Sequence, residues 1–381
     1  MKKQIFRKII FDINNFFLIV LVSVGSIVWT IQAVNFLDYV SEDGHGFYVY
    51  FYYTILNFPK IISAVLPFVF FISLFYILTK YESNNELIIF WANGITKENF
   101  TKTIIKFSLI YLIIQILLTT IIVPKSQNLA RSFIRSSTID FFPSLIKEKK
   151  FIDTVENLTI FIDKKNDKGE MFNIFLKDQM ANNKSQIIYA KKGFLSLSEN
   201  TNFLILNHGK IINIEDNKTI SLDFEETRFN LSKYTTKTTT WPKIQEQETS
   251  ALIACIVNTL VQQKIFEENF YLKCTRNQYI DRVDDIYKEV VQELLKRIYL
   301  PIYLPLISLV ACFLIIKSKE NQGYAKLKFL LFSIGIIILL FSKLSIKFAA
   351  ISQVSLLTFL LVPCLIFYLT FNIFKTKAKK I

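Results

Sequence analysis

The side chains that most often do chemistry in enzymes are scarce in this sequence. It contains two histidines, His45 in the stretch EDGHGF and His208 in LNHGK, and both stretches are typical of turns. No phosphate-binding loop of the form GxxxxGK[ST] and no HExxH zinc motif occurs. We therefore predict a chain with no catalytic residue, no metal site and no cofactor, and we keep a membrane enzyme as the rival hypothesis.

The four cysteines divide into two pairs by their surroundings. Cys312 and Cys364 stand within apolar stretches, where a thiol behaves as a small buried hydrophobic group. Cys255 and Cys274 stand in a more polar region that we place on the oxidising side of the membrane, so a disulfide is allowed there. Their spacing fits no metal motif, and both could instead be helix residues without a bond.

A short, half-apolar stretch combines acidic, aromatic and glycine residues. It has the sequence NELIIFWANGIT over residues 85–96. In a helix, Glu86 would lie on one side, and Leu87, Phe90 and Trp91 on another, at spacings of three and four residues. Such a helix either lies on the lipid surface or fits into a groove of a partner protein.

The end of this stretch carries signals of its own. Gly94 is expected to end the helix, because glycine adopts the left-handed conformation that follows many helices. Thr96 is expected to cap the helix that comes next.

The apolar runs determine the architecture in which these residues lie. Hydrophobic residues make up 52% of the 381 residues. A helix needs roughly 20 apolar residues to cross a bilayer. Runs without Asp, Glu, Lys or Arg cover residues 13–37, 61–79, 107–124, 298–316 and 348–374, and a weaker run with flanking lysines covers 329–342. We predict a bundle of six transmembrane helices, the first of them an uncleaved span rather than a signal peptide.

The positions of lysine and arginine predict which side each connection faces. Basic residues crowd the first ten residues, the connections after the second and fourth spans, and the C-terminal tail. The first connection, residues 38–53, has acidic residues and no basic ones. By the positive-inside rule, both termini and the second and fourth connections are cytoplasmic. The net charge of +14 is therefore mainly a feature of topology and does not indicate nucleic-acid binding.

The long connection after the third span is large enough to be a domain. From about 150 to 240 it shows short runs rich in Ile, Phe, Leu and Thr between turn residues, which predicts an all-β sandwich or roll. From about 246 to 296 the pattern becomes helical. The predicted domains are 1–124, with spans one to three and a short cytoplasmic helix at about 82–96; 125–296, outside; and 297–381, with spans four to six.

Several motifs together resemble one family. The pattern E-L-x-x-x-x-A-x-G-[IVL]-[ST] after a second span is matched by Glu86, Leu87, Ala92, Gly94, Ile95 and Thr96. Further stretches agree in order along the chain, namely WTIQAVNFLDYV, NFPKIISAVLPFVFF, LTIFIDKKNDKGEMFNIFLKD and QELLKRIYLPIYLPL. The sequence resembles the LptF/LptG permease family of the lipopolysaccharide exporter, and within it the LptF-like branch.

The resemblance implies the fold, the location and the partners of the chain. Members of the family place six transmembrane helices in the bacterial inner membrane and carry a periplasmic, jelly-roll-like β domain. This chain would pair with an LptG-like paralogue around a cavity for lipopolysaccharide, and an LptB-like cytoplasmic ATPase would drive closure of that cavity. LptC-like and LptA-like proteins would continue the β domain as a periplasmic bridge.

The resemblance also assigns roles to particular residues. The motif after the second span is the segment that contacts the ATPase, which makes Glu86, Leu87, Phe90, Trp91 and Gly94 candidate coupling residues. The alternative is a helix packed on lipid or on its own bundle.

Candidate contacts to the substrate are basic residues near the outer ends of the spans, because lipid A carries phosphates. They are Lys60, Arg297, Lys343 and Lys347. Family members often place basic residues at the outer end of the first span, but this chain has TIQAVNFLD there, without Lys or Arg. Glu293 and Arg297 stand four residues apart and could instead pair with each other. For the whole chain, the alternative is a scaffolding membrane protein that couples an ATPase to an outer domain without moving lipid.

Overall fold

The chain is described here by a computed structural model. It describes residues 2–37, 47–136, 148–155, 157–166, 169–179, 184–198, 201–215, 218–231, 243–261, 283–351 and 353–379. The chain divides into two compact units, one of residues 1–31, 57–128 and 243–381 and one of residues 32–56 and 129–242. The first unit holds the helical bundle and the second holds the β-sheet.

Six helical stretches in the described part of the chain are long and apolar enough to cross a membrane. They are called spans 1 to 6 and run over Lys3–Asn35, Phe47–Ser83, Lys97–Phe133, Lys288–Ile316, Tyr324–Ala349 and Val354–Ala378. The prediction of six spans is confirmed. Span 2 begins earlier than the predicted run at residue 61, because the aromatic stretch FYVYFYYTIL forms a helix of its own.

Eleven α-helices are described. They are α1 Lys2–Asn35, α2 Phe47–Leu56, α3 Phe58–Ser83, α4 Leu87–Ala92, α5 Lys97–Leu117, α6 Val123–Ser136, α7 Thr249–Val261, α8 Val283–Leu294, α9 Tyr303–Cys312, α10 Tyr324–Ala349 and α11 Gln353–Lys379. Spans 3 and 4 each contain a π-helical turn, at Leu118–Ile122 and Leu295–Tyr299, and 3-10 helices cover Ile244–Glu246, Leu300–Ile302 and Phe313–Ile316.

The core of the bundle is centred on α9, whose ten residues are all buried. This helix packs against α3, α5, α10 and α11. In α3, Phe70, Phe71 and Leu74 are fully buried. Gly335 of α10 allows the Phe71 ring to approach closely, since a Cβ at Gly335 would lie 2.0 Å from that ring. Spans 2, 3 and 5 are therefore held together through one central helix.

The return segment after the sheet packs with the bundle. Leu252 of α7 and Val290 of α8 are buried against each other's helices, and both helices belong to the helical unit. The return segment therefore belongs to the helical unit, and the domain boundaries after residues 124 and 296 stay a prediction.

Six strands form one antiparallel sheet in which each strand pairs with its neighbour in sequence. They are β1 Phe151–Val155, β2 Leu158–Lys165, β3 Met171–Gln179, β4 Ser185–Ser198, β5 Thr201–Glu215 and β6 Lys218–Asn230. An inserted β domain in the predicted region is confirmed. The order of the described strands is a meander without a crossover, so the structure supports the broad description of an antiparallel β domain rather than a specific jelly roll.

One face of the sheet is a closed apolar core. Leu158, Ile160 and Ile162 of the stretch LTIFID alternate along β2 and are at most 2% exposed. Leu176 and Leu206 from β3 and β5 are fully buried in the same cluster. The alternation of apolar residues in the sequence therefore marks the inward face of the sheet, as expected for strands with one buried side.

His208 does not lie in a turn at a strand end, which corrects the prediction from LNHGK. It lies within β5 with a φ of 52°, and Gly209 follows opposite Phe224. A Cβ at Gly209 would come within 2.5 Å of the Phe224 ring and 2.1 Å of the Tyr189 carbonyl oxygen. The strand thus continues through the His-Gly pair with its register unchanged, although His208 has a left-handed backbone conformation. His45 lies outside the described residues.

The cysteines agree with the predictions only in part. Cys312 is a buried free thiol in α9, as expected, whereas Cys364 is a free thiol on an exposed position of α11. Because a span exposes an apolar surface, an apolar run cannot tell an inward cysteine from an outward one. Cys255 lies in α7 and is disulfide-bonded, and Cys274 lies outside the described residues.

Candidate functional site

The predicted short helix is α4, and it ends as predicted. Gly94 has a φ of 66°, the left-handed conformation that glycine adopts without strain. The N–H of Ile95 donates to the Phe90 carbonyl oxygen at 3.1 Å, and the N–H of Gly94 donates to that of Trp91 at 3.0 Å. These two bonds form a Schellman motif, which satisfies carbonyl groups that the end of a helix leaves unpaired.

The start of the next helix is capped as the sequence indicates. Thr96 has an extended backbone, and its hydroxyl oxygen accepts a hydrogen bond from the N–H of Asn99 at 3.2 Å. The chain therefore turns sharply between α4 and α5, and α4 is held at a defined place beside the start of span 3.

From the sequence we expect Phe90 and Trp91 both to point toward a partner, but the structure of α4 shows a different arrangement. Leu87 and Phe90 are each 1% exposed and belong to the bundle core. The Phe90 ring packs on Phe6 of α1 and Phe100 of α5, with ring centroids 5.5 and 5.1 Å apart. Phe90 thus fixes α4 to its own bundle, and Trp91 is half-buried beside it.

The outward face of α4 is formed by residues that the sequence analysis did not single out. Ile88 and Ile89 are 58% and 50% exposed. An isoleucine in an amphipathic stretch gives no sign of which side it faces, so the sequence could not separate these two from Leu87.

Glu86 lies at the start of α4 beside a small cavity. One carboxylate oxygen accepts a hydrogen bond from the Asn84 amide at 3.0 Å, and the other lies 3.8 Å from the Lys8 ammonium group. A cavity of about 250 Å³ lies between Glu86, Lys8, Tyr81 and Ile89. The carboxylate is thus only loosely held and borders a space that a side chain of another molecule could enter.

The connection after span 4 is bonded to the end of span 2. The N–H of Lys319 donates to the Glu82 carboxylate at 2.8 Å, and the Lys319 ammonium group donates to the Ser83 carbonyl oxygen at 2.8 Å. Lys97 at the start of α5 donates to the Ile316 carbonyl oxygen at 3.2 Å. The segment that contains α4 and the segment 317–323 therefore meet at one end of the bundle.

Arg297, predicted as a substrate contact, is fully occupied within the protein. It is 2% exposed, and its Nε donates to Glu293 at 2.9 Å. Its Nη1 donates to the Gln247 carbonyl oxygen and the Thr249 hydroxyl, and its Nη2 donates to the Gln245 carbonyl oxygen, each at 2.9 Å. The alternative reading of the sequence, an internal pair with Glu293, is therefore the one that matches the geometry.

Two of the other predicted basic residues, Lys60 and Lys343, each interact electrostatically with Lys296, a lysine that the sequence analysis missed. Lys60 is half-buried, and its charged neighbours include Lys296, Glu246 and Glu293. Lys296 is also a charged neighbour of Lys343. Lys60, Lys296 and Lys343 are called the basic cluster below.

Lys296 and Arg297 are adjacent in sequence but face different ways. The side chain of Lys296 is 52% exposed and pairs with Glu293 at 3.1 Å, whereas that of Arg297 is 2% exposed. Both lie in the π-helical turn Leu295–Tyr299. Lys347 is exposed one turn beyond Lys343, as predicted.

The sheet carries an apolar groove of about 840 Å³ on its surface. Phe151, Phe161, Phe175 and Tyr189 stand opposite one another on β1 to β4 and border this groove. The ring centroids of Phe151 and Phe161 lie 4.7 Å apart, those of Phe175 and Tyr189 lie 5.2 Å apart, and those of Phe151 and Phe175 lie 6.2 Å apart. The volume lies within the range of sites that hold a small apolar ligand.

The whole chain matches a known family. The model of the lipopolysaccharide export system permease family LptF/LptG matches residues 7–375. The chain belongs to this family. The match covers all six spans and the sheet, which is what the motifs around α4 had suggested, and the family description covers LptF and LptG together.

A curated relative is similar over a shorter range. An uncharacterized protein of Rickettsia prowazekii (strain Madrid E) is 27% identical over 192 residues, which is 50% of this chain and 53% of the relative. The chain thus spans about half the length of that relative.

Proposed function

We propose that this chain is a permease subunit of an ATP-driven exporter that takes lipopolysaccharide from the bacterial inner membrane and passes it to a periplasmic bridge. Both termini and α4 would face the cytoplasm, and the sheet would face the periplasm. The partners would be an LptG-like paralogue, an LptB-like ATPase, and LptC-like and LptA-like bridge proteins. The motifs of the sequence favour the LptF-like branch.

The observation that carries this proposal is the placement of α4. Its inner face is fixed to α1 and α5 by Phe90, and its outer face exposes Ile88 and Ile89. A partner that moves this outer face moves the ends of three spans with it. That is the arrangement required for a subunit without a nucleotide-binding loop of its own, whose energy must come from an ATPase.

The basic cluster supports a substrate with phosphate groups. Cations near the ends of membrane spans are costly unless they serve a ligand, pair with acids or reach the interface. Lys343 and Lys347 are exposed, and Lys60 is half-buried near two acidic residues. The apolar groove of the sheet is consistent with a domain that receives acyl chains.

The coupling role is tested by variants of Glu86, at the start of α4, and of Ile89 and Trp91 within α4. Glu86→Lys places a cation where the partner is expected to offer donors, and Ile89→Ala and Trp91→Ala each remove apolar contact area. If α4 is bound by the ATPase, each change should weaken the complex by about 2 kcal/mol, as interface anchors commonly do. The measurement is the amount of ATPase that co-purifies with the chain and its paralogue.

Glu225→Lys is the matched control, since it makes the same change of charge at an exposed residue of β6, in the compact unit that does not contain α4. If the Glu86→Lys variant and the Ile89→Ala variant both retained the ATPase at normal stoichiometry, we would conclude that α4 lies on lipid instead. If the ATPase co-purifies but its hydrolysis does not respond to lipopolysaccharide, the scaffolding alternative is favoured.

Phe90→Ala is expected to act differently from Ile89→Ala. Phe90 is a core residue, so its loss should leave a cavity and lower the stability of the chain by about 3–5 kcal/mol. Thermal unfolding of the purified chain without partners separates the two cases, because Ile89→Ala should leave the melting temperature nearly unchanged. Equal melting temperatures for Phe90→Ala and the wild type would contradict this assignment.

A further inference from the structure

Span 2 contains a proline within its helix. Pro67 is buried in the middle part of α3. A proline has no N–H, so the carbonyl oxygen four residues earlier, that of Ser63, loses its helical donor, and the ring crowds the backbone at this point. In a membrane such a carbonyl group needs a donor from elsewhere.

Two other spans supply donors at this place. The Gln115 amide of span 3 donates to the Ser63 carbonyl oxygen at 2.8 Å. The Lys343 ammonium group of span 5 donates to the next carbonyl oxygen, that of Ala64, at 3.1 Å. The stretch of α3 around Pro67, called the Pro67 bend below, is thus held from both sides by side chains and not by its own backbone alone.

The two donors differ in how firmly they are placed. Gln115 is 3% exposed, and its Oε1 is buried without a hydrogen-bond partner among the described residues. Lys343 is exposed, and besides Ala64 it has the Phe68 ring at 4.6 Å from its ammonium group. A neutral carbonyl and a ring are weak partners for an ammonium group, whereas a phosphate forms a stronger, charge-assisted bond.

The Pro67 bend lies between two parts of α3 with different attachments. On one side, toward α4, Tyr81 donates to the Asp12 carboxylate at 2.5 Å and Glu82 accepts from Lys319 at 2.8 Å. On the other side stands Lys60 of the basic cluster. A change of α3 at Pro67 would therefore move Lys60 of the basic cluster relative to the end of span 2 that leads into α4.

We propose that Lys343 connects the arrival of a lipid phosphate to the Pro67 bend. A phosphate that binds the Lys343 ammonium group takes it away from the Ala64 carbonyl oxygen and frees the outer part of α3 to move about Pro67. Gln115 keeps the Ser63 carbonyl satisfied and serves as the pivot. This inference rests on the proposed function, and it adds a route by which an anionic lipid regulates the ATPase through α3 and α4.

The test uses the complete complex of the chain, its paralogue and the ATPase in phosphatidylcholine nanodiscs. The probes are bisphosphorylated lipid A and the same lipid without phosphates. Two quantities are measured, namely the stimulation of ATP hydrolysis and the crosslinking of lipid A to a photoreactive residue at position 344, which is 60% exposed beside Lys343. The variants are Pro67→Ala, Gln115→Leu and Lys343→Met, with Lys328→Met, an exposed lysine near the other end of α10, as the control.

In the wild type and in Lys328→Met, bisphosphorylated lipid A should crosslink and stimulate, and the lipid without phosphates should do neither. Lys343→Met should lose both responses to the phosphates. Because this variant also lacks the bond to the Ala64 carbonyl oxygen, its ATP hydrolysis without lipid A should already be raised toward the stimulated rate. Pro67→Ala restores the helical donor to Ser63, so it should crosslink lipid A as the wild type does while its stimulation falls by about five-fold or more, the scale of allosteric couplings. Gln115→Leu removes the side chain that serves as the pivot. This variant should therefore also bind lipid A normally while the stimulation of ATP hydrolysis falls.

Wild-type stimulation in both Pro67→Ala and Gln115→Leu would overturn the proposal while leaving the permease function intact. A wild-type complex that neither crosslinks lipid A nor responds to it would instead count against the proposed function. Equal stimulation by the two lipids would show that the phosphates are not sensed at Lys343, which also overturns the proposal.

Discussion

Arg297 donates four hydrogen bonds, to Glu293, Gln245, Gln247 and Thr249, while it is 2% exposed. Through these bonds one side chain of span 4 joins the 3-10 helix at Ile244–Glu246 to the start of α7. The flat guanidinium group suits this arrangement because its five N–H groups point in fixed directions. An ammonium group could not satisfy acceptors on so many sides at once.

Removal of this side chain should therefore destabilise the helical unit strongly. Arg297→Met leaves Oε1 of Glu293 and three further acceptors without the arginine donor, and breaking a buried ion pair on one side typically costs about 3–5 kcal/mol. Arg297→Lys should recover only part of the loss. The measurement is thermal unfolding of the purified chain.

The adjacent lysine provides the control for that experiment. Lys296→Met removes an ion pair in which the lysine side chain is 52% exposed, and such pairs contribute about 0–1 kcal/mol. If Arg297→Met and Lys296→Met lowered the melting temperature equally, Arg297 would not be the structural residue described here, and its candidacy as a lipid contact would return.

At the level of elements, the features that could be predicted from the sequence are those with long or strongly patterned signals. The six apolar runs, the β-rich region and the end of α4 at Gly94 all rest on local patterns, and the structure confirms them. The continuation of β5 through His208 and the helix α2 were missed, since a His-Gly pair and an aromatic stretch each have more than one ordinary conformation.

The candidate site was predictable only in outline, because roles within it depend on contacts between distant elements. An apolar residue of a short helix can face its own bundle or a partner, and Phe90 faces the bundle. Adjacent helix residues always face different ways, but only contacts with other elements decide that Arg297 is the buried one and Lys296 the exposed one. A proline marks a possible bend, but nothing local to Pro67 indicates that Gln115 supplies its donor.

The dependence of the Pro67 bend on Gln115 can be measured as a coupling energy. Gln115→Leu should destabilise the chain when Pro67 is present, because the Ser63 carbonyl loses its donor in an apolar surrounding. In the Pro67→Ala background the helix supplies that donor itself, so the same change should cost less by about 1 kcal/mol, a typical interhelical hydrogen bond in a membrane. The four stabilities are obtained by denaturant unfolding in detergent.

The matched comparison uses Pro363, which lies inside α11. Gln115 donates to span 2 and not to the α11 backbone before Pro363, so the effects of Gln115→Leu and Pro363→Ala should add. The bond from Gln115 to Ser63 would not be what holds the Pro67 bend in either of two cases. In one, the effects of Gln115→Leu on the unfolding free energy add to those of both Pro67→Ala and Pro363→Ala. In the other, they deviate from additivity equally with both.

At the scale of the whole molecule, hydrogen bonds place the connections after spans 2 and 4 on the same side of the membrane, and the prediction that this side is the cytoplasm rests on charge. The connection after span 2 and the connection after span 4 touch through Lys319, which bonds both Glu82 and Ser83. Two segments that form direct hydrogen bonds must lie on one side of a membrane. The two connections also hold many of the basic residues, so bonding and the positive-inside rule lead to the same arrangement.

This arrangement makes a prediction for reporters inserted at three places in the chain. A reporter at Lys97 and one at Lys319 should both be in the cytoplasm, whereas one at Gly169, in the tight turn before β3, should be in the periplasm. Gly169 suits an insertion because its φ is 80° and nothing lies within 4 Å of the position of a Cβ. Protease accessibility in spheroplasts and in inverted vesicles checks the same three sites without dependence on reporter folding. Because span 3 separates the second connection from the sheet, opposite results at Lys97 and Gly169 are required. A reporter at Lys319 that is active outside would contradict both the charge argument and the bonds from Lys319 to Glu82 and Ser83, and with them the six-span arrangement on which the placement of α4 toward an ATPase depends.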